Sequence, residues 1–188
     1  GMESVVNIIY SISPRHTDEY YARKTREAAA LKPYRLCYKD VGGMLTPERA
    51  RTLARIILDN AGDIPVEFHA HCNNGLAPFN VLEVVKQGIR IVHTSVPPLA
   101  NGSAQPSIFN VARNLRALGY KPLVNEKVLE PVEQHFRRVA EEEGHLLVAR
   151  QQVPAHERHQ QHQQLEGAQG APPGQAGRPH GAPFSCCA

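Results

Sequence analysis

Several features that would place this chain in a specialised class are missing from its sequence. None of its apolar runs approaches the ~20 residues that a membrane-spanning helix needs, and its N-terminus has no signal-peptide pattern. With 188 residues, of which 41% are hydrophobic and 21% charged, the chain has the composition of one ordinary globular domain. We therefore expect a cytoplasmic protein.

Cysteine and clustered charge are also scarce. The four cysteines are Cys37, Cys72 and the adjacent Cys186 and Cys187, and they form neither a CxxC pair nor the framework of a secreted disulfide protein. The net charge is only +3, and the basic residues are interspersed with acidic ones, so they form no stripe that could bind a nucleic acid. We expect no disulfides, no nucleic-acid partner and no membrane partner.

Strand-like and helix-like segments alternate along most of the chain. Strands are predicted to begin near residues 5, 35, 65 and 89, and a helical pattern follows each of them. The second helix has clear start signals, with Thr46 as N-cap and Pro47 at the first helical position. Two further helices are predicted over 107–118 and 126–143. This alternation is typical of βαβ units, so the predicted fold class is α/β with a parallel sheet.

The composition changes near Gly144. The residues that follow are rich in Gln, His, Gly, Pro and Ala, and they bury too little apolar surface to offset the entropy lost on ordering. We expect disorder over 144–188, and the unusual composition suggests the product of a reading-frame error. At the other end, residues 1–2 have the form of a tag-cleavage remnant followed by a start methionine.

Polar side chains are predicted where the strands end, which is where parallel α/β sheets bind their ligands. His69 and His71 are two residues apart in the third strand, so both imidazoles can face one metal ion. Two half-exposed strand-end histidines are an equally good interpretation of this pattern. Cys72 points to the opposite side if the strand continues, which favours a small packed residue over a third ligand.

Lys39 ends the second predicted strand and is followed by Asp40. Beside a metal in a buried site its ammonium form is unfavourable, because desolvation and the cation both oppose its charge. The neutral amine can take up CO2 and become an anionic carbamate that binds the ion. An ion pair with Asp40 or another carboxylate is the simpler interpretation from the residues alone.

Three segments taken together resemble a known family. The motifs CYKDVGGMLTPERA, VEFHAHCNNG and PPLANGSAQPS are similar, in order and spacing, to the carboxyltransferase domain shared by three enzymes. These are pyruvate carboxylase, the oxaloacetate decarboxylase alpha subunit and the transcarboxylase 5S subunit. The domain belongs to the metal-dependent TIM barrels that also include hydroxymethylglutaryl-CoA lyase. The likeness covers about residues 3–143.

The resemblance implies part of a TIM barrel, followed by C-terminal helices and the tail. About four βα units would match the family's fifth to eighth strands. The family's first-strand motif, with a metal-binding aspartate and a substrate-binding arginine, has no counterpart in this sequence. Because an open half-barrel exposes edge strands and its inner face, we expect a homo-oligomer or association with the missing half.

The resemblance also assigns roles to individual residues. Lys39 matches the family's carboxylated lysine, and His69 and His71 match its two metal-binding histidines. Ser103 stands where the family usually has a threonine that shuttles a proton with biotin, which makes Ser103 a candidate for both catalysis and cofactor binding. Cys72 replaces the aspartate or serine that usually follows the second histidine.

The implied function is metal-dependent carboxyl transfer to or from a 2-oxo acid such as pyruvate or oxaloacetate. The reaction would pass through an enolate, with carboxybiotin as the carboxyl carrier. Zn2+, Mn2+ and Co2+ all suit two imidazoles with oxygen ligands. The sequence has no biotin-carrier lysine motif, so a biotin carrier protein or another domain would deliver biotin. The alternatives are a carbon–carbon lyase or aldolase of the same superfamily and a catalytically silent truncated fragment.

Overall fold

The computed structural model describes residues 2–143 and 184–187, which form one parallel sheet and five helices. The strands are β1 (Val5–Ile9), β2 (Arg35–Asp40), β3 (Val66–Ala70), β4 (Ile91–His93), β5 (Pro122–Leu123) and β6 (Phe184–Cys187). The helices are α1 (Asp18–Ala30), α2 (Pro47–Asn60), α3 (Ala77–Gln87), α4 (Ile108–Ala117) and α5 (Glu126–Glu142). The strand order is β1-β2-β3-β4-β6-β5, and every ladder is parallel. This confirms the predicted α/β class.

Local chemistry fixes the helix boundaries. The Thr46 hydroxyl accepts a hydrogen bond from the Arg49 amide at 3.2 Å, and Pro47 occupies the first turn of α2, as predicted. Helix α3 ends at Gly88, whose φ of 117° is a conformation that side-chain-bearing residues rarely adopt.

The two faces of the sheet differ, because successive residues of a strand point to opposite sides. One side, termed the helix face, is apolar and packs against the helices. Its buried members include Ile8, Leu36, Tyr38, Phe68 and Val92.

The opposite side, termed the open face, carries most of the polar strand residues in rows that the parallel register sets. The lower row contains Asn7, Cys37 and Glu67, and the upper row contains Ile9, Lys39, His69 and His93. The upper row lies at the carboxyl ends of the strands. The open face therefore points several ionisable groups toward the edge of the sheet where ligands bind.

The sheet has two edge strands, β1 and β5. Over the described ranges it is therefore open and not closed into a barrel. Its parallel strands and five helices are consistent with part of a TIM barrel. Within the same ranges, no helix combines the length and the apolar character that crossing a membrane demands.

The carboxyl-terminal part of the sheet differs from the sequence expectation. Phe184–Cys187, which fall in the tail expected to be disordered, form β6 between β4 and β5. The physical reason is long-range pairing, because four residues gain a strand conformation from two neighbouring strands and not from local composition. Residue 1 and the rest of that tail, 144–183 and 188, lie outside the described residues.

Candidate active site

His71 lies just past β3 and is held by the loop that follows β4. Its Nδ1 donates a hydrogen bond to the carbonyl oxygen of Ser103 at 2.6 Å. The proton therefore sits on Nδ1, and Nε2 keeps the lone pair that a metal needs. A carbonyl bound to the far ring nitrogen is a common way of orienting a metal-binding imidazole. The His71 amide also donates to the carbonyl oxygen of Asp40 at 3.0 Å, which ties the residue to β2.

His69 lies at the centre of a chain of side-chain hydrogen bonds. Its Nε2 is 3.1 Å from the amide nitrogen of Gln105, whose oxygen accepts from the Ser95 hydroxyl at 3.0 Å. Its Nδ1 is 3.0 Å from Nδ1 of His93. Because an amide nitrogen can only donate, Nε2 of His69 is the acceptor, and Nδ1 carries the proton toward His93.

The surroundings of His69 favour its neutral form. Burial is the main cause that lowers its pKa to about 4, and the positive charge of Lys39 acts in the same direction, followed by His93 and His71. Lys39 is its register partner on β2. His69 is therefore uncharged near neutral pH, and the neutral ring is the form that binds metals.

Lys39 and Asp40 point to opposite faces of β2. Asp40 is fully buried, and its two carboxylate oxygens accept from the amides of Met44 at 3.1 Å and Leu45 at 2.9 Å. Its carboxylate thus stabilises the loop after β2 instead of pairing with Lys39. Lys39 itself is partly buried beside His69.

The structure brings Lys39, His69 and His71 together at the carboxyl end of the open face. Ser103 joins them through its carbonyl oxygen, and the residue as a whole is exposed. Cys72 is buried, and its amide donates to the carbonyl oxygen of Ala104 at 2.9 Å, in keeping with its predicted role as a packed residue.

The loops after β2 and β3 pack backbone against backbone. Gly43 has a φ of 61°, and a Cβ at this position would lie 2.8 Å from the Asn73 amide nitrogen and 2.9 Å from the His71 carbonyl oxygen. The Asn73 side chain donates to the Gly42 carbonyl oxygen at 3.1 Å. Glycine is therefore required at position 43 for the loop after Lys39 to approach the loop after His69.

Sequence reasoning missed Glu67, His93 and Gln105. One carboxylate oxygen of Glu67 lies 3.5 Å from Nε2 of His93, and the other lies 3.4 Å from the Arg35 guanidinium. A signal was present, since Cys37 and Lys39 on β2 and Glu67 and His69 on β3 alternate with apolar residues. A count of polar residues at every second strand position would have identified the open face.

The fold and the site together define the class of the protein: a parallel βα-barrel type of chain with its polar groups at the carboxyl ends of the strands. The HMGL-like family model matches residues 3–135. The chain belongs to this family, and the resemblance found in its motifs is confirmed.

Curated relatives include pyruvate carboxylase subunits from two archaea. That of Methanocaldococcus jannaschii is 30% identical over 141 residues, which cover 75% of this chain and 25% of the relative. That of Methanothermobacter thermautotrophicus is 30% identical, covering 70% of this chain and 23% of the relative. The methylmalonyl-CoA carboxyltransferase 5S subunit of Propionibacterium freudenreichii subsp. shermanii is 24% identical, covering 74% and 28%. The chain thus spans about a quarter of the length of these relatives.

A solved structure shows the same fold. The carboxyl transferase domain of Rhizobium etli pyruvate carboxylase matches with a TM-score of 0.55 and 25% identity, covering 58% of this chain and 19% of that chain. A structure of the same domain with pyruvate and biocytin matches with the same values.

Proposed function

We propose that this chain is part of an enzyme that transfers a carboxyl group to or from a 2-oxo acid, with biotin as the carboxyl carrier. The observation that carries the proposal is the convergence of Lys39, His69 and His71 at one end of the open face. The relatives support the same chemistry, since they include pyruvate carboxylase subunits and a carboxyltransferase subunit. A domain with this fold also has a structure with pyruvate and biocytin.

A divalent metal fits the donors that are present. His71 offers Nε2 because Ser103 occupies its Nδ1, and Nε2 of neutral His69 already acts as an acceptor. Lys39 would supply the third ligand as a carbamate, formed when its amine binds CO2 and loses a proton. Zn2+, Mn2+ and Co2+ suit this donor set. When bound, the metal would polarise the substrate carbonyl and stabilise the negative charge that develops on its oxygen.

Ser103 would move the proton. Its residue lies exposed on the turn beside His71, where the hydroxyl would pass a proton between the substrate carbon and the ureido nitrogen of biotin. Its carbonyl oxygen meanwhile orients His71. Gln105 would hold the His69 ring in position through the contact to Nε2 until a ligand replaces it.

The test is oxaloacetate decarboxylation by the full chain, with and without Mn2+ or Zn2+. We expect a metal-dependent rate that Lys39→Gln and His71→Asn abolish and that biotin stimulates. The matched control is Lys86→Gln, because Lys86 is an exposed lysine that pairs with Glu83 on α3, away from the site. Ser103→Thr should keep the biotin-stimulated rate, whereas Ser103→Ala should lose it and still bind the metal.

The mass of Lys39 separates this proposal from its alternatives. A CO2 increment on Lys39 in a metal-replete sample is expected for a carboxyltransferase. A carbon–carbon lyase would bind the metal through the histidines without that increment. A complete lack of metal-dependent rate would instead favour a catalytically silent chain.

We also propose that a biotin carrier on another domain or chain meets this site. The β1 edge and the open face support association with a second copy or with the missing half of a barrel. Sedimentation should show an oligomer for the isolated chain, and a monodisperse monomer with a cooperative melt would contradict this expectation.

A further inference from the structure

A second cluster of metal-binding side chains lies on the open face, below the upper row. Ligand atoms of Cys37, Glu67 and His93 all lie within 4.8 Å of one another. Cys37 and Glu67 are only 2% and 5% exposed, and they are register partners on β2 and β3. Among the residues that the structure describes, this is the only group of three or more His, Cys, Asp or Glu whose ligand atoms lie so close.

We propose that Cys37, Glu67 and His93 form a second divalent-metal site, suited to Zn2+ and separate from the candidate active site. Thiolate, carboxylate and imidazole are all zinc ligands, and three protein ligands leave the fourth tetrahedral position open. Bonds of about 2.0–2.3 Å place tetrahedral ligands roughly 3.3–3.8 Å apart. Side-chain rotations that move the ligand atoms by about 1 Å are therefore enough to complete the site.

The charges of the cluster favour a cation. A Zn2+ ion would balance the carboxylate of Glu67 and the thiolate of Cys37. Without an ion, the Arg35 guanidinium lies 3.4 Å from Glu67 and partly neutralises it. Burial, and then the negative charge of Glu67, raise the pKa of Cys37 to about 12, so the thiol keeps its proton until a metal replaces it.

His93 is already turned toward the cluster. Its Nε2 faces Glu67 at 3.5 Å, while its Nδ1 is 3.0 Å from Nδ1 of His69. When Nε2 of His93 binds a metal, Nδ1 must carry the ring proton and donate it to His69. His69 then holds its own proton on Nε2, which is the atom that the candidate active site needs free. The two sites should therefore oppose each other through this hydrogen bond.

The test titrates the full chain with Co2+, which occupies zinc sites and gives an intense charge-transfer absorption when a thiolate binds it. We expect this band in the wild type and its loss in Cys37→Ser. Glu67→Gln and His93→Asn should each weaken Co2+ binding at least tenfold. Cys72→Ser is the matched control, since Cys72 is a buried cysteine outside the cluster and its variant should keep the band.

Several results would overturn the site. These are a wild type without the band, a band that survives in Cys37→Ser, and a band that disappears only when Cys186 and Cys187 are both changed to serine. Circular dichroism checks folding; if Cys37→Ser unfolds, unchanged Co2+ affinity in Glu67→Gln decides against the site.

His71→Asn distinguishes this proposal from the proposed function. That variant should lose metal-dependent decarboxylation and keep the thiolate band. Loss of the band in His71→Asn would show that the thiolate site is not separate and would overturn the proposal.

Discussion

The helix face and the open face of one sheet have opposite chemical character. On the helix face, Tyr38 and Phe68 are fully buried with ring centroids 5.1 Å apart. Their next neighbours along the chain, Lys39 and His69, are polar and lie side by side on the open face. A single strand thus holds a core residue and a candidate ligand at successive positions, because the pleat separates them. The difference implies that stability and chemistry can be altered separately.

The largest expected effect comes from the helix face. Phe68→Ala removes a fully buried ring, and the lost burial together with the cavity should lower the free energy of unfolding by about 3–5 kcal/mol. Urea unfolding followed by circular dichroism measures the change.

Ile9→Ala is the control on the open face, since Ile9 is 48% exposed at the edge strand. This variant should lose less than about 1 kcal/mol. Equal losses at Phe68 and Ile9 would show that the two faces do not differ in stability.

A polar residue of the helix face should have an intermediate effect. Asp40→Ala leaves the buried amides of Met44 and Leu45 without an acceptor, so we expect a loss of about 1–3 kcal/mol. Asp59→Ala removes an exposed carboxylate from α2 and should stay within about 0.5 kcal/mol of the wild type. A stability unchanged by Asp40→Ala would mean that the loop after β2 does not depend on this carboxylate.

The smallest effect concerns pH and the open face. The pKa of His69 is about 4 in the folded chain and about 6.5 in an unfolded one, so the unfolded state binds more protons between these values. This contribution to stability is complete above about pH 6.5 and is lost as the pH falls toward 4.

Unfolding in urea at pH 7 and pH 5, with a chelator present, tests this linkage. The wild type should lose more stability than His69→Gln, by under about 1 kcal/mol after allowance for solvent screening. His135→Gln on the exposed part of α5 controls for the removal of a histidine. An identical pH dependence in wild type and His69→Gln would contradict the depressed pKa.

Elements with strong local signals could be predicted from the sequence. Thr46 and Pro47 marked the start of α2, and the HxH pattern placed His69 and His71 at the end of β3. The short strands β5 and β6 could not be predicted, because their pairing partners are distant in sequence. Local propensity has little information about such pairings.

The candidate site was only partly predictable for a similar reason. The motifs indicated Lys39 and the two histidines, but no spacing shows that His93 hydrogen-bonds to His69 across 24 residues. That contact depends on the register of β3 and β4, which the packing of the crossover helix determines. Cys37 and Glu67 were hidden because each looks like an isolated residue in a buried strand.

The close contact at Gly43 makes the loops after β2 and β3 a single unit for protein engineering. A designer who grafts the histidine pair onto another barrel must also transfer the turn around Gly43, since any side chain there would collide with the backbone of Asn73. Random variation in either loop should survive selection mainly when the other loop changes with it. The two segments are thus expected to diversify together, although about thirty residues of chain separate them.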